Sequence, residues 1–365
     1  MKSVYIHIPF CKTICSYCDF CKFYYYKEWV LEYLNVLERE IDNYYQGDPI
    51  YTIYIGGGTP SALDMEELEL LFQIINRFDF SKCVEFTFEC NIENITLEKM
   101  KFLKEHGVNR LSVGVETFHE KYLLFLNRHH TMCEVKEKID MMKQVGFDNI
   151  NVDLIYALPD ETIEEVCEDI QFFLELDIPH ISTYSLMIEP RTKLGIEHIE
   201  EIDEDLDFSM YQEIDHILSQ NGYVHYEISN FSKSGYESKH NLVYWNNDEY
   251  YGFGMGASGY VDGVRYDNTR NFHDYMNGCY RFESECLSLN EKIENEFILG
   301  FRKLDGISLE RFYDRYHRDF REYLVIDRLL KEGKLEFVDG NIKISDEYVY
   351  VSNQILCQLI GENYE

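Results

Sequence analysis

The chain of 365 residues is strongly acidic, with 67 Asp and Glu against 34 Lys and Arg and a net charge of −33. That charge argues against a nucleic acid partner, because neutralising phosphates needs a basic surface. With 45% hydrophobic residues the chain can bury a large core, which excludes a disordered or fibrous protein. No stretch reaches the roughly 18 apolar residues of a membrane span, and the first residues lack the apolar run of a signal peptide, so a cytoplasmic protein is expected.

Strand-like and helical patterns alternate across the first half of the chain, which is typical of a parallel α/β sheet or barrel. Six predicted strands span 4–8, 51–55, 84–88, 110–115, 150–156 and 181–188. Apolar residues at helical spacing follow the first two strands: Val30, Leu34, Leu37 and Ile41, then Leu68, Leu71, Phe72 and Ile75. The pattern predicts the α/β class and an incomplete (β/α)6 barrel that is open on one side.

The second half of the chain has a different character. An acidic run over 200–205 leads into an aromatic and glycine-rich section at 226–285. We predict that this section connects a core barrel, residues 1–225, to a C-terminal domain, residues 286–365. Helical patterns at 290–301, 308–320 and 324–331 precede two alternating strands around an Asp339-Gly340 turn. Helices with a hairpin predict an α+β winged-helix-like module.

Three cysteines follow the first predicted strand with the spacing C-x3-C-x2-C: Cys11, Cys15 and Cys18. Closely spaced thiolates hold iron–sulfur clusters, and three ligands on a four-iron cluster leave one iron open to bind something else. A zinc site with Cys21 as fourth ligand is the alternative, although structural zinc usually takes two separated C-x2-C pairs. The remaining cysteines have no ligand spacing and are predicted to be ordinary thiols.

This spacing, with the aromatic Tyr17 just before the third cysteine, resembles the signature of radical S-adenosylmethionine (SAM) enzymes. The resemblance implies a 4Fe-4S cluster on the three cysteines and SAM at its open iron. The run Gly56-Gly57-Gly58-Thr59 after the second strand resembles the glycine motif with which these enzymes hold the amino group of SAM. Alone, a glycine triplet is a weak signal, because many turns need positive φ.

Charged residues also lie at or just beyond predicted strand ends, where β/α barrels gather their active sites. They are Glu89, Glu116, Arg128 and Asp153. Any one of them alone is more often a surface charge or an ion-pair partner. Together they suit SAM, because its sulfonium and ribose call for carboxylates and its α-carboxylate calls for a guanidinium.

Longer segments narrow the resemblance to the family that contains oxygen-independent coproporphyrinogen III oxidase and the HemW haem chaperones. The similarity covers nearly the whole chain. It rests on YIHIPFC at 5–11, GGGTPS at 56–61, NRLSVGVETF at 109–118, DLIYALP at 153–159, HISTYSLMIEP at 180–190 and YEISNF at 226–231.

The family resemblance implies a set of cofactor-binding residues. It assigns SAM contacts to Tyr5, Gly57, Gly58, Thr59, Glu89, Glu116, Arg128 and Asp153, with Tyr17 beside the cluster. Two positions depart from the family pattern, which commonly has Gln at position 116 and Gly at position 157, where this chain has Glu116 and Ala157. An ionised carboxylate accepts hydrogen bonds but cannot donate them, so the first departure bears on how the ribose is held.

Three features favour the chaperone branch of this family. The oxidase has a further cysteine two residues after the third, where this chain has Phe20, and a long extension before the cluster loop, which here begins near residue 1. The third feature is an H-N-x-x-Y-W motif at 240–245, which is associated with haem binding in the chaperones. His240 is either an axial haem ligand with aromatic neighbours that stack on the porphyrin, or a structural residue in a capped segment. Both roles stay open.

The sequence therefore predicts a radical SAM haem chaperone that binds a 4Fe-4S cluster, SAM and haem and delivers haem to acceptor proteins. Whether the chain is an enzyme stays open. The expected partners are haem, haem-accepting proteins that include membrane-bound ones met transiently, and a second copy of the chain, but no nucleic acid. The alternatives are a coproporphyrinogen III oxidase in porphyrin biosynthesis and a SAM-independent zinc-binding interaction module.

Overall fold

A computed structural model describes residues 1–361 of the chain. Its centre is a mixed sheet of 12 strands, in which the predicted strands lie side by side, run parallel and follow chain order. These barrel strands, the first to the sixth, are Lys2–Ile8, Ile50–Gly57, Glu85–Asn91, Arg110–Glu116, Asn149–Tyr156 and His180–Ser185. The predicted α/β class is confirmed, although the sixth strand ends at Ser185 rather than at residue 188.

The aromatic and glycine-rich section extends this sheet at both edges. Tyr250–Phe253 pairs in parallel with the first barrel strand, and Asn230–Ser232 pairs antiparallel with the sixth. The outer strands beyond these two are all antiparallel to their neighbours: Ser258–Val261, Val264–Asn268 and Arg281–Cys286 at one edge and Val224–Glu227 at the other. The section is therefore part of the same sheet, and the described strands form an open barrel.

Helices connect or follow the parallel strands and pack against the sheet, most of them in one large hydrophobic core, with Glu120–Phe125 and Lys193–Ile196 in a smaller cluster. They are Lys27–Tyr44, Met65–Ile75, Leu97–Glu105, Glu120–Phe125, Met132–Val145, Ile163–Glu175, Lys193–Ile196 and Glu204–Gln220. In the first two of these helices, the apolar residues that the sequence pattern predicts on one face are all buried. Capping boxes at Asp64, Thr131 and Thr162 fix where three of these helices begin.

Short elements complete the barrel part of the chain. Phe10–Cys11 pairs in parallel with Phe23–Tyr24 and folds the cysteine loop back on itself. Lys239–Trp245 and Phe272–Met276 are short α-helices, and single 3-10 turns cover Pro60–Ala62, Phe80–Lys82 and Ile92–Asn94.

The C-terminal part has a hydrophobic core of its own, which includes Ile293, Phe312 and Ile326. Its helices are Leu289–Gly300, Leu309–Tyr316, Leu324–Lys331 and Ser352–Leu356, with 3-10 turns at Phe320–Glu322, Asp346–Tyr348 and Cys357–Leu359. Its sheet contains Ile307–Ser308, Asn341–Ile344 and Leu335–Val338. The predicted hairpin is present, since Leu335–Val338 pairs antiparallel with Asn341–Ile344. Between these strands Asp339 and Gly340 both have positive φ, 50° and 83°, as a two-residue turn of type I′ requires.

No helix between residues 1 and 361 combines the length and the apolar character that crossing a lipid bilayer requires.

Ala157, directly after the fifth barrel strand, is 2% exposed and has a left-handed backbone with φ of 63°. A side chain in that conformation costs about 1 kcal/mol, which glycine avoids. Ala257 is buried to a similar extent, 1% exposed, and its φ is not positive. Both Ala→Gly changes remove one buried methyl group, so we expect Ala157→Gly to destabilise the protein by about 1 kcal/mol less than Ala257→Gly. Urea unfolding of both variants measures the difference, and equal losses would contradict the strain at Ala157.

Candidate functional site

The barrel strands enclose one cavity of about 450 Å³. Because side chains alternate along a strand, every second residue of the fourth strand faces it: Arg110, Ser112, Gly114 and Glu116. The fifth and sixth strands contribute Asn151, Asp153, Ile155, Ser182 and Tyr184, and the second and third contribute Tyr54, Gly57, Glu89 and Asn91. The cavity therefore collects polar side chains from five adjacent strands.

The cysteine loop borders this cavity, and all three predicted cluster cysteines line it as free thiols. Two contacts hold the loop against the barrel. The backbone N–H of Ser16 donates to the carbonyl oxygen of Leu126 at 3.1 Å, and the side-chain amide of Asn127 donates to the carbonyl oxygen of Ile14 at 2.8 Å. These contacts direct three thiols into one space.

The thiols are neutral in the free protein. Burial raises the pKa of Cys11 to about 11 and also raises the pKa values of Cys15 and Cys18, so metal binding has to displace their protons. Cys21 is not among the described residues that line the cavity; it packs against Gly256, where an added Cβ would lie 3.3 Å from the Cys21 sulfur. Within residues 1–361, no three His, Cys, Asp or Glu side chains converge on a single metal ion. The loop thus presents three thiols on a shared cavity rather than four around one ion.

The glycine loop lies directly against the cysteine loop. A Cβ at Gly58 would lie 2.8 Å from the backbone carbonyl carbon of Pro9, and Gly57 has φ of 113°, so side chains are excluded at both positions. The backbone N–H groups of Gly58 and Thr59 donate to the carbonyl oxygens of residues 8 and 10 at 2.9 and 3.0 Å. The Thr59 hydroxyl then donates to the sulfur of Cys11 at 3.5 Å. The two predicted motifs therefore form one continuous wall.

Two half-buried carboxyl groups face the cavity beside this wall. Glu89 accepts hydrogen bonds from the Tyr54 hydroxyl at 2.7 Å and from the Gly57 N–H at 3.0 Å, while Asp153 accepts from the Asn151 amide at 2.8 Å. Burial raises the pKa of Glu89, and burial with the neighbouring carboxylates raises the pKa of Asp153 to about 7. A cation bound between these groups would favour their charged forms.

The buried Glu116 and Arg128 and the half-buried Tyr17 form one group on the cavity wall. The Arg128 guanidinium pairs with a carboxylate oxygen of Glu116, and the same oxygen accepts a hydrogen bond from the Tyr17 hydroxyl at 2.8 Å. Glu116 reaches this position because the register of the fourth strand shifts there and its φ is 71°. A non-glycine residue in this region costs backbone energy, and such positions cluster at functional sites.

Tyr5 is not among the described residues that line the cavity. Its hydroxyl group lies 2.9 Å from Nδ1 of His7, and its ring centre lies 6.1 Å from that of Tyr54, which does line the cavity. Tyr5 therefore supports the wall from behind in the ligand-free protein.

His240 is 1% exposed and is also absent from the described cavity lining. Its Nδ1 lies 2.7 Å from the Thr52 hydroxyl and its Nε2 lies 2.7 Å from the Tyr244 hydroxyl. Because Thr52 donates its own hydrogen to Ser3, the network assigns the proton of His240 to Nδ1, which leaves Nε2 to accept from Tyr244. Burial lowers the pKa of His240 to about 3, so the ring is neutral. Of the two roles that the sequence leaves open, this geometry favours the structural one.

Four further polar residues that line the cavity were not predicted as site residues from the sequence, namely Arg110, Ser112, Asn151 and Asn241. A signal was present for some of them. Arg110 and Ser112 precede Glu116 at two-residue spacing on a predicted strand, which places all three on one face. Asn241 belongs to the H-N-x-x-Y-W motif at 240–245, in which only His240 was predicted as a site residue.

Comparison with known proteins gives a consistent set of relatives. A model described as the Radical SAM superfamily matches residues 5–173, and one described as the HemN C-terminal domain matches residues 287–347. The chain is 42% identical over 355 residues to the heme chaperone HemW of Lactococcus lactis, covering 94% of this chain and 91% of that one. It is 38% identical over 378 residues to the heme chaperone HemW of Bacillus subtilis, covering 99% and 100%.

A solved structure shares the fold. Coproporphyrinogen III oxidase (HemN) from Escherichia coli, a radical SAM enzyme, superposes with a TM-score of 0.86 at 20% sequence identity, over 98% of this chain and 90% of that chain. At this level of identity the match establishes the common fold and nothing about activity.

The Glu116–Arg128 pair generates a stability prediction. Glu116→Gln removes the only charge paired with the buried Arg128 within the described chain, so we expect it to destabilise the protein by about 3 kcal/mol. Glu66→Gln is the control, because Glu66 is 70% exposed in its ion pair with Lys27 and should leave the unfolding midpoint nearly unchanged. Urea unfolding under anaerobic conditions measures both. Equal, small shifts would show that Arg128 does not depend on Glu116.

Proposed function

Because the chain belongs to the radical SAM superfamily and, within it, to the family of the haem chaperone HemW, we propose that it binds a 4Fe-4S cluster, SAM and haem and delivers haem to acceptor proteins. One observation carries the cofactor part of this proposal. Three free thiols, a glycine loop and a buried carboxylate–guanidinium pair line a single cavity.

We assign the cluster to Cys11, Cys15 and Cys18. The donor set fits, because three thiolates hold three irons of a four-iron cluster and leave the fourth open. When bound, the cluster supplies a reducing electron and a vacant coordination position for the amino acid end of SAM. The positive charge of Arg128 opposes the effect of burial on the pKa of Cys15 and so favours the thiolate that iron needs.

The proposed SAM-binding residues surround the remaining space. They are Tyr5, Tyr17, Gly57, Gly58, Thr59, Glu89, Glu116, Arg128 and Asp153. The glycine loop brings backbone groups close to the cysteines, where the amino group of SAM would lie. Glu89 and Asp153 supply carboxylates that gain negative charge when a cation approaches, which suits a sulfonium.

The haem part of the proposal rests on the relatives. Two proteins named heme chaperone HemW match this chain over more than nine-tenths of their length. We propose haem-requiring proteins as the acceptors, including membrane-bound ones that the chain meets transiently.

Porphyrinogen oxidation is the second candidate, because the HemN oxidase has the same fold. At the place of the oxidase's further cysteine, this chain has Phe20, which lines the cavity and is 67% exposed. An apolar side chain cannot take the role of a thiol there. The zinc module is disfavoured by the family and by the direction of Cys21, which packs away from the cavity.

The cluster assignment predicts that two cysteine variants in the same loop differ in the iron–sulfur cluster they retain. After anaerobic reconstitution, Cys15→Ser should lose most of its iron, sulfide and visible cluster absorption, whereas Cys21→Ser should retain the wild-type values. Cys21 is the control, because it lies in the same loop and is buried, whereas Cys15 is half-buried on the cavity. Equal loss in both variants, with zinc bound instead of iron, would support the four-thiol alternative.

Haem titration tests the chaperone proposal and the role of His240 together. Wild-type protein should bind haem with a defined Soret band, and His240→Ala should show the same band position with a lower midpoint of thermal unfolding, because two buried hydrogen bonds are lost. A Soret band that shifts in His240→Ala while the protein stays folded would make His240 the axial ligand.

The same anaerobic preparation separates the chaperone from the oxidase. Supplied with SAM, a reductant and coproporphyrinogen III, it should form no protoporphyrinogen. Sustained product formation would establish oxidase activity instead.

A further inference from the structure

Arg110 is an isolated basic residue at the inner end of the cavity. It begins the fourth barrel strand, is 2% exposed and lines the cavity on the same face as Glu116. Six residues separate the two along the strand, so their Cα atoms lie roughly 20 Å apart. Arg110 therefore occupies the opposite end of the strand from the group formed by Glu116, Arg128 and Tyr17.

The guanidinium of Arg110 has no protein partner within the described residues. Its Nε is buried and donates no hydrogen bond, and no carboxylate of residues 1–361 lies within ion-pair distance. The other cationic groups on the cavity differ: Arg128 pairs with Glu116, and Lys22 donates to the carbonyl oxygen of Cys18. An arginine cannot lose its proton to escape burial, so an unpaired guanidinium here carries a substantial desolvation cost.

The acidic side chains on the adjoining strands are bonded to other groups. Glu85, two residues from the register partner of Arg110, accepts from the backbone N–H groups of Lys239 and His240. Glu89 accepts from Tyr54 and from the glycine loop, and Asp153 accepts from Asn151. The charge of Arg110 acts on Glu89 only through space. The next residue on the same face of the strand is the neutral Ser112. The site therefore has a buried cation with no carboxylate in ion-pair contact among the described residues.

We propose that Arg110 is a carboxylate-binding subsite at the inner end of the cavity, distinct from the residues assigned to the cluster and SAM. A carboxylate matches the planar fork of guanidinium donors and would supply the missing countercharge. Haem carries such groups as its propionates, whereas the α-carboxylate of SAM belongs to the amino acid end that is assigned to the cluster, at the other end of the cavity. The haem arm of this inference rests on the proposed function, whereas the subsite itself rests on the geometry of Arg110.

Binding measurements on Arg110→Gln identify the source of the carboxylate. The probes are SAM, haem and haem dimethyl ester, in which both propionates are esterified, titrated anaerobically into reconstituted protein. If the subsite holds a propionate, Arg110→Gln should weaken haem binding about 10-fold or more and leave binding of the dimethyl ester unchanged. Binding of SAM should stay unchanged in Arg110→Gln, because its amino acid end is assigned to the cluster at the other end of the cavity.

Two further variants make the result decisive. Arg321→Gln is the matched control, because that arginine is 79% exposed in its ion pair with Asp319 and should leave all three affinities unchanged. Arg110→Lys keeps the charge and loses the fork, so it should show a smaller loss of the same kind, and it replaces Arg110→Gln if that variant does not fold.

Unchanged affinities for both SAM and haem in the Arg110 variants would overturn the subsite. An equal loss for haem and for its dimethyl ester, with SAM unaffected, would also overturn it, because the effect would not depend on a carboxylate. If wild-type protein binds no haem, the proposed function fails, and titration of coproporphyrin III, which carries four propionates, into wild type and Arg110→Gln still decides the subsite.

Discussion

The close contact between the glycine loop and the cysteine loop determines where a site can form. The first and second barrel strands are neighbours, so their carboxyl ends deliver both loops to the same edge of the sheet. Only a residue without a side chain allows the backbone of Gly58 to lie against Pro9, and the hydrogen bonds from Gly58 and Thr59 then hold the start of the cysteine loop in place. Every other predicted cofactor contact is positioned relative to this junction.

Burial then sets the charge of the site. It pushes the carboxyl groups of Glu89 and Asp153 and the cysteine thiols towards their neutral forms, because a low-dielectric interior disfavours unpaired charge. Guanidinium groups cannot respond in this way and keep their charge. The free protein therefore holds two fixed positive charges on the cavity, one compensated by Glu116 and one, at Arg110, without a carboxylate in contact. A ligand that brings negative charge to the inner end would balance the charge of Arg110. A ligand that brings positive charge beside Glu89 would favour the carboxylate form of that residue.

Local patterns explain which features could be predicted from the sequence. The barrel strands and the hairpin at Asp339-Gly340 follow from alternation and turn chemistry, and the cysteine and glycine motifs are contiguous, so their loops could be located directly. The strand Tyr250–Phe253 was missed because its four residues lie among glycines and carry no periodicity. The pairing of Glu116 with Arg128 depends on a register shift and a left-handed backbone, which no residue pattern encodes. His240 stayed ambiguous for a related reason: its partner Thr52 is far away in the chain, so only the fold shows that both ring nitrogens are engaged.

The helix Lys239–Trp245 covers one end of the barrel, where the third strand begins, and leaves the other end open. Glu85 on the third strand accepts hydrogen bonds from the backbone N–H groups of Lys239 and His240 at 2.9 Å, and the His240 ring lies 5.1 Å from that of Tyr54. A neutral histidine suits this position, because it can donate to Thr52 while it accepts from Tyr244 without carrying charge into the core.

With the helix in place, the exposed residues of the cavity lining mark its mouth. Phe20 and Met187 are 67% and 71% exposed, and both lie in segments beyond the carboxyl ends of the strands. A ligand that enters there meets these apolar side chains and the exposed carboxylate Glu189 first, and the guanidinium of Arg110 last. That order suits a molecule with a flat apolar body and terminal carboxylates, because its apolar surface leaves water at the mouth while its charge finds a counterion at the inner end.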